Sequence, residues 1–458
     1  MRTKRFGRFR RSLYILLSSF ALITLAFASI YLINIYNINR SYYEEENTEG
    51  NVALRKFPYP YKAAMTICSD IDGTTTKEEF LEIQRFLNTK EKTRIGKGIG
   101  LEIGNSFMMY APPTCAFSYF SGNPGDKEII GKFIKAGYID VMHSYGEKPD
   151  FSREDAVKAL EELERNGCKV DVWVDHSKTV DNLGDDVTFG SGDHQNSLAY
   201  HSDLTKDYGI KFVWLGRVTM VVGQSTPITI RMFTSIYDPD HPIRSLINIT
   251  KEFAKNVLGV FGDKKYSMHK SYELVRMTKL DDGRKAYEFM RFDNYWEGVA
   301  TGATCKSLAY VISKRTLEIL KEIGGYAIVY THLGMNSDCS NLIPNETQAA
   351  LRNLAREYEA GNIYVTTTSK LLKYYVSHKY LNWSYKIIDD EIIVTIHNVE
   401  DPVSGLFVPT VQDLQGITFY VPDKSKARIY IGDKEITNTQ KKPADYTGRE
   451  SITIALRE

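Results

Sequence analysis

Acidic and histidine side chains stand where predicted strands of this 458-residue chain end. Six of them lie at four such ends: Asp70 and Asp72, His143 and Glu147, His176, and His332. Carboxylate and imidazole together form a ligand set for a divalent transition metal, of which Zn²⁺ is the expected one. Two histidines and one acid leave a position for water, whose pKa the metal lowers, and a second acid can take the proton. This pattern predicts a hydrolytic metal site.

The elements that must position these residues alternate along the chain. From about residue 60, strand-like runs such as 62–69 are followed by helix-like stretches such as 77–87. Repeated units of this kind predict an α/β fold over 60–378, with a parallel sheet closed or nearly closed into a barrel. The carboxyl ends of the strands of such a barrel meet at one rim, so the six side chains should converge there. After Lys379, alternating strands separated by Asp, Pro and Gly turns predict a small β-sandwich over 379–458.

The N-terminus has the pattern of a membrane anchor. Residues 1–11 hold six basic residues and no acid, and residues 12–36 carry no charge. At 1.5 Å per residue, this run is about 37 Å long, enough to cross a bilayer. The positive-inside rule then predicts a cytoplasmic tail at 1–11, a single-pass helix at 12–36, a linker at 37–59 and an extracytoplasmic body. The alternative is a cleaved signal peptide, because Ala26-Phe27-Ala28 has the form of a cleavage site.

Charge also bears on the partners of the body. With the basic tail set aside, the rest of the chain has a net charge of −5. A mildly acidic body is a poor nucleic-acid binder, so we expect no nucleic-acid partner.

The order of the strand-end motifs resembles that of a known family. Over roughly residues 60–375, four motifs follow one another in the order seen in the polysaccharide deacetylases of the carbohydrate esterase type. They are SDIDG, HSYGE, EFMRFDNYW, which holds Arg291, and IVYTHLG. The resemblance implies a deformed (β/α) barrel that removes acetyl groups from a polysaccharide or cell-envelope glycan. It implies that Asp70 is the catalytic base, oriented by Arg291, and that His332 protonates the leaving group. Asp72 and His143 would bind the metal.

Two departures from the family pattern leave parts of this interpretation open. Ile71 separates the two acids, which are adjacent in the family motif TFDDG, and Glu147 replaces the second histidine of HSxxH. Either Glu147 or His176 could supply the remaining metal ligand. Two other functions stay open: a catalytically inactive glycan-binding module of the same fold, and a glycosidase on a related barrel that uses Asp70 or Asp72 as its nucleophile. An Asp after a strand is also a common turn or helix-cap residue.

Overall fold

The structure is a computed structural model that describes residues 24–40, 42, 52–110, 117–120, 123, 125–298, 303–334 and 341–456. The helices within these residues are α1 (24–40), α2 (Lys77–Asn88), α3 (Asp126–Ala136), α4 (Arg153–Arg165), α5 (Ser202–Tyr208), α6 (Ile230–Thr234), α7 (Pro242–Val260), α8 (Cys305–Val311), α9 (Lys314–Ile323), α10 (Asn345–Glu359) and α11 (Thr368–Lys379). The strands of the first two-thirds are β1 (Ala53–Arg55), β2 (Ala63–Asp70), β3 (Gly104–Phe107), β4 (Ile139–His143), β5 (Val172–Val174), β6 (Phe212–Trp214), β7 (Val218–Thr219), β8 (Val275–Lys279), β9 (Lys285–Phe289) and β10 (Arg291–Phe292). The later strands are β11 (Tyr326–Thr331), β12 (Ile363–Val365), β13 (Leu381–Ile388), β14 (Glu391–Asp401), β15 (Gly405–Phe407), β16 (Thr418–Tyr420), β17 (Ala427–Ile431), β18 (Lys434–Glu435), β19 (Thr439–Lys442) and β20 (Ser451–Ile454).

A nine-stranded sheet forms the centre of the larger part. Its order is β11-β2-β3-β4-β5-β6-β9-β8, and β12 also pairs with β2. Every pair in it is parallel except β8 with β9. The sheet curls into a half-barrel, which is compatible with a deformed barrel, so the predicted α/β class is confirmed at this level. The parallel order places the carboxyl ends of β2, β4, β5 and β11 at one edge.

The central strand β2 is buried along its whole length because it is covered on both faces. Met65 and Ile67 pack in the cluster that contains Leu354 of α10. Ala64 and Cys68 point the other way, into the cluster that contains Leu371 of α11. The sequence of a strand that is covered on both sides is a nearly continuous apolar run, and KAAMTICS has this pattern.

Two further sheets share one core at the C-terminal end. One has the order β1-β16-β20-β19, and the other has the order β13-β14-β17-β18 with β15 beside β14. Side chains of both sheets, such as Val394 and Phe419, pack in the same buried cluster. Strand β1 lies inside the segment 37–59 that was expected to be a linker, and it pairs antiparallel with β16.

The predicted anchor falls partly outside the described residues. Residues 1–11 and 12–23 are not described, and α1 covers 24–40. Among the helices of the described part, none combines the length and the apolar character that crossing a bilayer requires. The anchor at 12–36 therefore stays a prediction.

Candidate metal centre

The first acidic pair stands at the carboxyl end of β2. Asp70 is its last residue and is fully buried, while Asp72 lies in the turn that follows. The backbone N–H of Asp72 donates to Asp70 Oδ1 at 3.2 Å. Helix α2 is capped by Thr76, whose hydroxyl accepts from the Glu79 N–H at 3.2 Å. The acids are therefore not the cap of this helix, and their carboxylates remain available at the edge of the sheet.

The two histidines come from neighbouring parallel strands. His143 ends β4, and β5 pairs with it so that Val174 lies opposite His143. His176 follows two residues beyond the end of β5. The residue after each histidine, Ser144 or Ser177, has a positive φ, 48° and 44° respectively, so the chain turns away at once. This geometry leaves His143 Nε2 and His176 Nδ1 facing each other at 3.1 Å.

Carboxylates assign the tautomer of each ring. His143 Nδ1 contacts Asp70 Oδ2, and His176 Nε2 lies 2.6 Å from Glu147 Oε1. An ionised carboxylate only accepts, so each ring places its proton on that nitrogen and keeps a lone pair on the other. Two lone pairs that face each other at 3.1 Å repel, and a cation bound between them would remove that repulsion. Tetrahedral Zn²⁺ with Zn–N bonds of about 2.0–2.1 Å would hold two nitrogens about 3.3 Å apart, close to the separation observed here.

Asp72 completes the group. Its Oδ1 is buried and has no hydrogen-bond partner among the described residues. Ligand atoms of Asp70, Asp72, His143 and His176 lie within 4.8 Å of one another. Burial and the negative charge of Asp70 raise the pKa of Asp72 to about 6, while the charges of His332 and His176 oppose that rise. The donor set and the orphaned oxygen therefore fit a divalent cation held by Asp72, His143 and His176.

The charge states of the inner pair suit that arrangement. Burial by itself would raise the pKa of Asp70, but the charge of His143 and its hydrogen bond, followed by the charge of His332, hold the pKa well below its usual range. Burial lowers the pKa of His143 to about 4. Asp70 is thus an ionised acceptor and His143 a neutral imidazole at neutral pH, and a neutral imidazole is the form that binds metal.

A tyrosine that the sequence interpretation missed holds Asp70. The hydroxyl of Tyr330 donates to Asp70 Oδ2 and lies 3.0 Å from His143 Nδ1. Arg291, which was expected to orient Asp70, instead lies with its guanidinium carbon 3.7 Å from the centre of the Tyr330 ring and 3.9 Å from that of Trp214. Arg291 thus supports the tyrosine that contacts the acid. A sequence signal did exist, because Tyr330 stands two residues before His332 and so faces the same side of the strand.

The remaining two candidates lie beside the four-residue group. His332 Nδ1 donates to the carbonyl of Ala303 at 2.5 Å, which turns Nε2 toward Asp72 Oδ1 at 3.6 Å and Asp70 Oδ2 at 3.8 Å. Glu147 is outside the group and contacts it through His176. All seven residues predicted from the sequence are therefore close to one centre, and Glu147 reaches it through its contact with His176.

The comparisons with known proteins add little to this geometry. No protein-family model and no curated protein sequence matches the chain. Among solved structures, the chain is similar to a 4-alpha-glucanotransferase from Thermococcus litoralis, with 12% sequence identity and a TM-score of 0.33. The match covers 68% of this chain and 40% of the glucanotransferase chain. A likeness this low does not indicate a shared activity.

Proposed function

We propose that the barrel is a metal-dependent hydrolase that removes acetyl groups from a polysaccharide or cell-envelope glycan. The observation that carries the proposal is the pair of imidazole nitrogens, His143 Nε2 and His176 Nδ1, which face each other at 3.1 Å beside the orphaned Asp72 Oδ1. Two histidines and one carboxylate are a catalytic ligand set that leaves a position for water. The glycan substrate rests on the resemblance of the strand-end motifs to polysaccharide deacetylases.

The residues around the ligand set supply the rest of the chemistry. Asp72, His143 and His176 would hold a divalent cation, which would polarise the acetyl carbonyl and lower the pKa of a bound water. The Asp70 carboxylate accepts hydrogen bonds from His143, Tyr330 and the Asp72 N–H. A carboxylate has roughly four lone-pair positions, so one remains to accept the proton of the attacking water. This free position supports Asp70 as the base.

The leaving group requires a proton from another residue. Because its Nδ1–H is engaged by the Ala303 carbonyl, His332 presents Nε2 to the centre. His332 Nε2 lies within 4 Å of both Asp carboxylates. From this position it would deliver a proton to the departing amine or alcohol. Tyr330 and Arg291 keep Asp70 in place during this transfer.

The test compares two isosteric variants of the acidic pair in the full-length chain. Acetate and reducing ends released from acetylated chitooligosaccharides and peptidoglycan are measured together with bound zinc. We expect acetate release by the zinc-loaded protein, loss of zinc and activity in Asp72→Asn, and retained zinc in Asp70→Asn with kcat lowered by about 10²–10⁴. Asp413→Asn, on an exposed turn of the sandwich, is the matched control.

The alternatives give different results in the same assay. Zinc-loaded protein that binds the glycan and releases no acetate would be the inactive binding module. Reducing ends without acetate would identify a glycosidase. Normal acetate release by both Asp70→Asn and Asp72→Asn would show that the reaction occurs elsewhere in the molecule.

A further inference from the structure

Helix α7 has its polar residues turned inward and its apolar residues turned outward. The buried residues are Ser245, Asn248, Glu252 and Asn256, followed by Gly259 and Val260 at the C-terminal end of the helix. The exposed apolar side chains are Ile243, Leu246, Ile247, Phe253 and Leu258, with Phe261 just beyond the helix; they are between 40% and 75% exposed. Arg244 and Lys251 are exposed beside them. A surface helix in water has the opposite arrangement. A cluster of exposed apolar residues on one helix marks an interaction surface.

Specific hydrogen bonds fix this orientation of α7. The Thr219 hydroxyl donates to Glu252 Oε1 at 2.6 Å, and Asn256 Nδ2 donates to the His269 carbonyl at 2.7 Å. On the preceding turn, Asn248 Nδ2 donates to the carbonyl of Trp296 at 3.1 Å. A rotation that buried the apolar stripe would break all three contacts and leave buried polar groups without partners. The stripe therefore faces outward in the folded protein.

Helix α1 lies antiparallel beside α7 and extends the apolar surface. The Phe27 ring lies 5.6 Å from that of Phe261, the Tyr31 hydroxyl donates to Asn256 Oδ1 at 2.7 Å, and Asn39 exchanges hydrogen bonds with the backbone of Ile228. The outward side of α1 is also apolar, with side chains between 48% and 68% exposed: Leu25, Phe27, Ile30, Leu32, Ile33 and Tyr36. We call the exposed apolar residues of α1 and α7, with Phe261, the lipid face.

The chain outside the described residues indicates what covers this face. The uncharged segment 12–23 leads directly into α1 at residue 24, next to the C-terminal end of α7. At that end the chain places Lys264 and Lys265, and both are exposed. Residues 242–270 hold six basic and two acidic residues, and one of those acids, Glu252, is buried. A second copy of the chain would bring this positive charge against itself, whereas an anionic lipid surface would attract it.

We propose that the lipid face rests in the interfacial region of a bilayer, with the apolar side of α7 against the acyl chains and the flanking lysines among the headgroups. A helix of 19 residues is about 28 Å long, and one with an apolar stripe and basic flanks has the composition of helices that lie in the membrane interface. This contact shares residues 25–36 with the predicted anchor at 12–36, and in it α1 lies along the bilayer surface beside α7 instead of crossing the bilayer. It would hold the barrel at a fixed orientation to the membrane, where a flexible tether alone would let it tumble.

The test places a fluorescent side chain on the lipid face of the full-length chain. Leu258→Trp and Ile247→Trp are reconstituted into vesicles of phosphatidylcholine with a minor fraction of phosphatidylglycerol, with acyl chains either brominated or unbrominated. Bromine quenches only tryptophans that reach the acyl region. The control is Leu406→Trp, on a side chain 69% exposed at the sandwich. The parent chain gives the background from its four native tryptophans.

We expect brominated lipid to remove most of the added emission of Leu258→Trp and Ile247→Trp and none of that of Leu406→Trp. Equal, weak quenching at all three positions would overturn the proposal. So would added emission that neither aqueous quencher nor brominated lipid quenches in a chain that is dimeric in the vesicle, because a second copy would then cover the face. A circular dichroism spectrum that matches the parent verifies that each variant is folded.

Discussion

Removal of the Glu147 carboxylate tests whether Glu147 binds the metal itself or orients His176, the proposed ligand. Glu147 Oε1 lies 2.6 Å from His176 Nε2, while the opposite nitrogen of that ring faces His143. Glu147→Ala therefore removes an orienting partner and leaves the three ligands in place. Loss of such a partner lowers metal affinity by about 10–100-fold. Because 43% of the Glu147 side chain is exposed, solvent screens the pair, and we expect the lower end, about tenfold or about 1.4 kcal/mol.

Competition with a chromophoric chelator measures the zinc affinity of each variant. His176→Ala should lose bound zinc altogether, because one of three protein ligands is gone. His397→Ala, an exposed histidine of the sandwich, should bind zinc as the parent does. Loss of zinc in Glu147→Ala with retention in His176→Ala would show that the carboxylate is the ligand and the imidazole its neighbour. Unchanged affinity in both variants would refute the assignment of this metal centre.

Three further predictions concern the support of the site and of the fold. Tyr330→Phe removes a hydrogen bond to the ionised Asp70, so kcat should fall about tenfold while the zinc content and KM stay unchanged. Steady-state kinetics and metal analysis measure these quantities, and loss of zinc in this variant would contradict the prediction. Burial lowers the pKa of His269 to about 4. The contribution of the neutral ring to stability is therefore complete above the unfolded pKa of about 6.5 and is lost as the pH falls toward 4. In urea denaturation, the free energy of unfolding of the parent should fall by about 2–3 kcal/mol more than that of His269→Gln between about pH 7 and about pH 4.5. Arg55→Ala should cost about 3–5 kcal/mol in the same urea assay, because the buried Asp445 carboxylate loses its cationic partner and four backbone carbonyls lose the guanidinium donor. A cost below about 1 kcal/mol would contradict that account.

The positions of the candidate ligands could be predicted from the sequence because they depend on local pattern. A buried run that ends in Asp70, or a strand that ends in His143, needs only the rule that parallel strands end at one edge. What each residue touches at that edge could not be predicted in the same way. Tyr330 reaches Asp70 because β11 pairs with β2 so that Tyr330 lies opposite Cys68, and this register is set by long-range packing.

Long-range pairing also explains the difference at residues 53–55. Three residues carry too little pattern to be recognised as a strand, and β1 exists because Ala53 to Arg55 lie opposite Tyr420 to Thr418, more than 350 positions later. Arg55 then donates to the carbonyls of Phe57 and Tyr61. A segment that sequence pattern assigns to a linker thus ties the first strand of the barrel to the sandwich.

The polar side of α7, which faces the barrel, connects the proposed membrane contact with the proposed metal centre. Periodicity reveals an amphipathic helix but does not say which face is inward, and here the inward choice follows from what the polar residues bind. Glu252 accepts from Thr219 of β7, and β7 pairs in parallel with β10 so that Val218 lies opposite Arg291. Arg291 in turn packs on the Tyr330 ring that holds Asp70. A helix with an apolar inner face could not make the first of these contacts, so the polar side must point to the barrel and the apolar side to whatever lies outside it. Lipid is the environment in which that arrangement has no solvation cost.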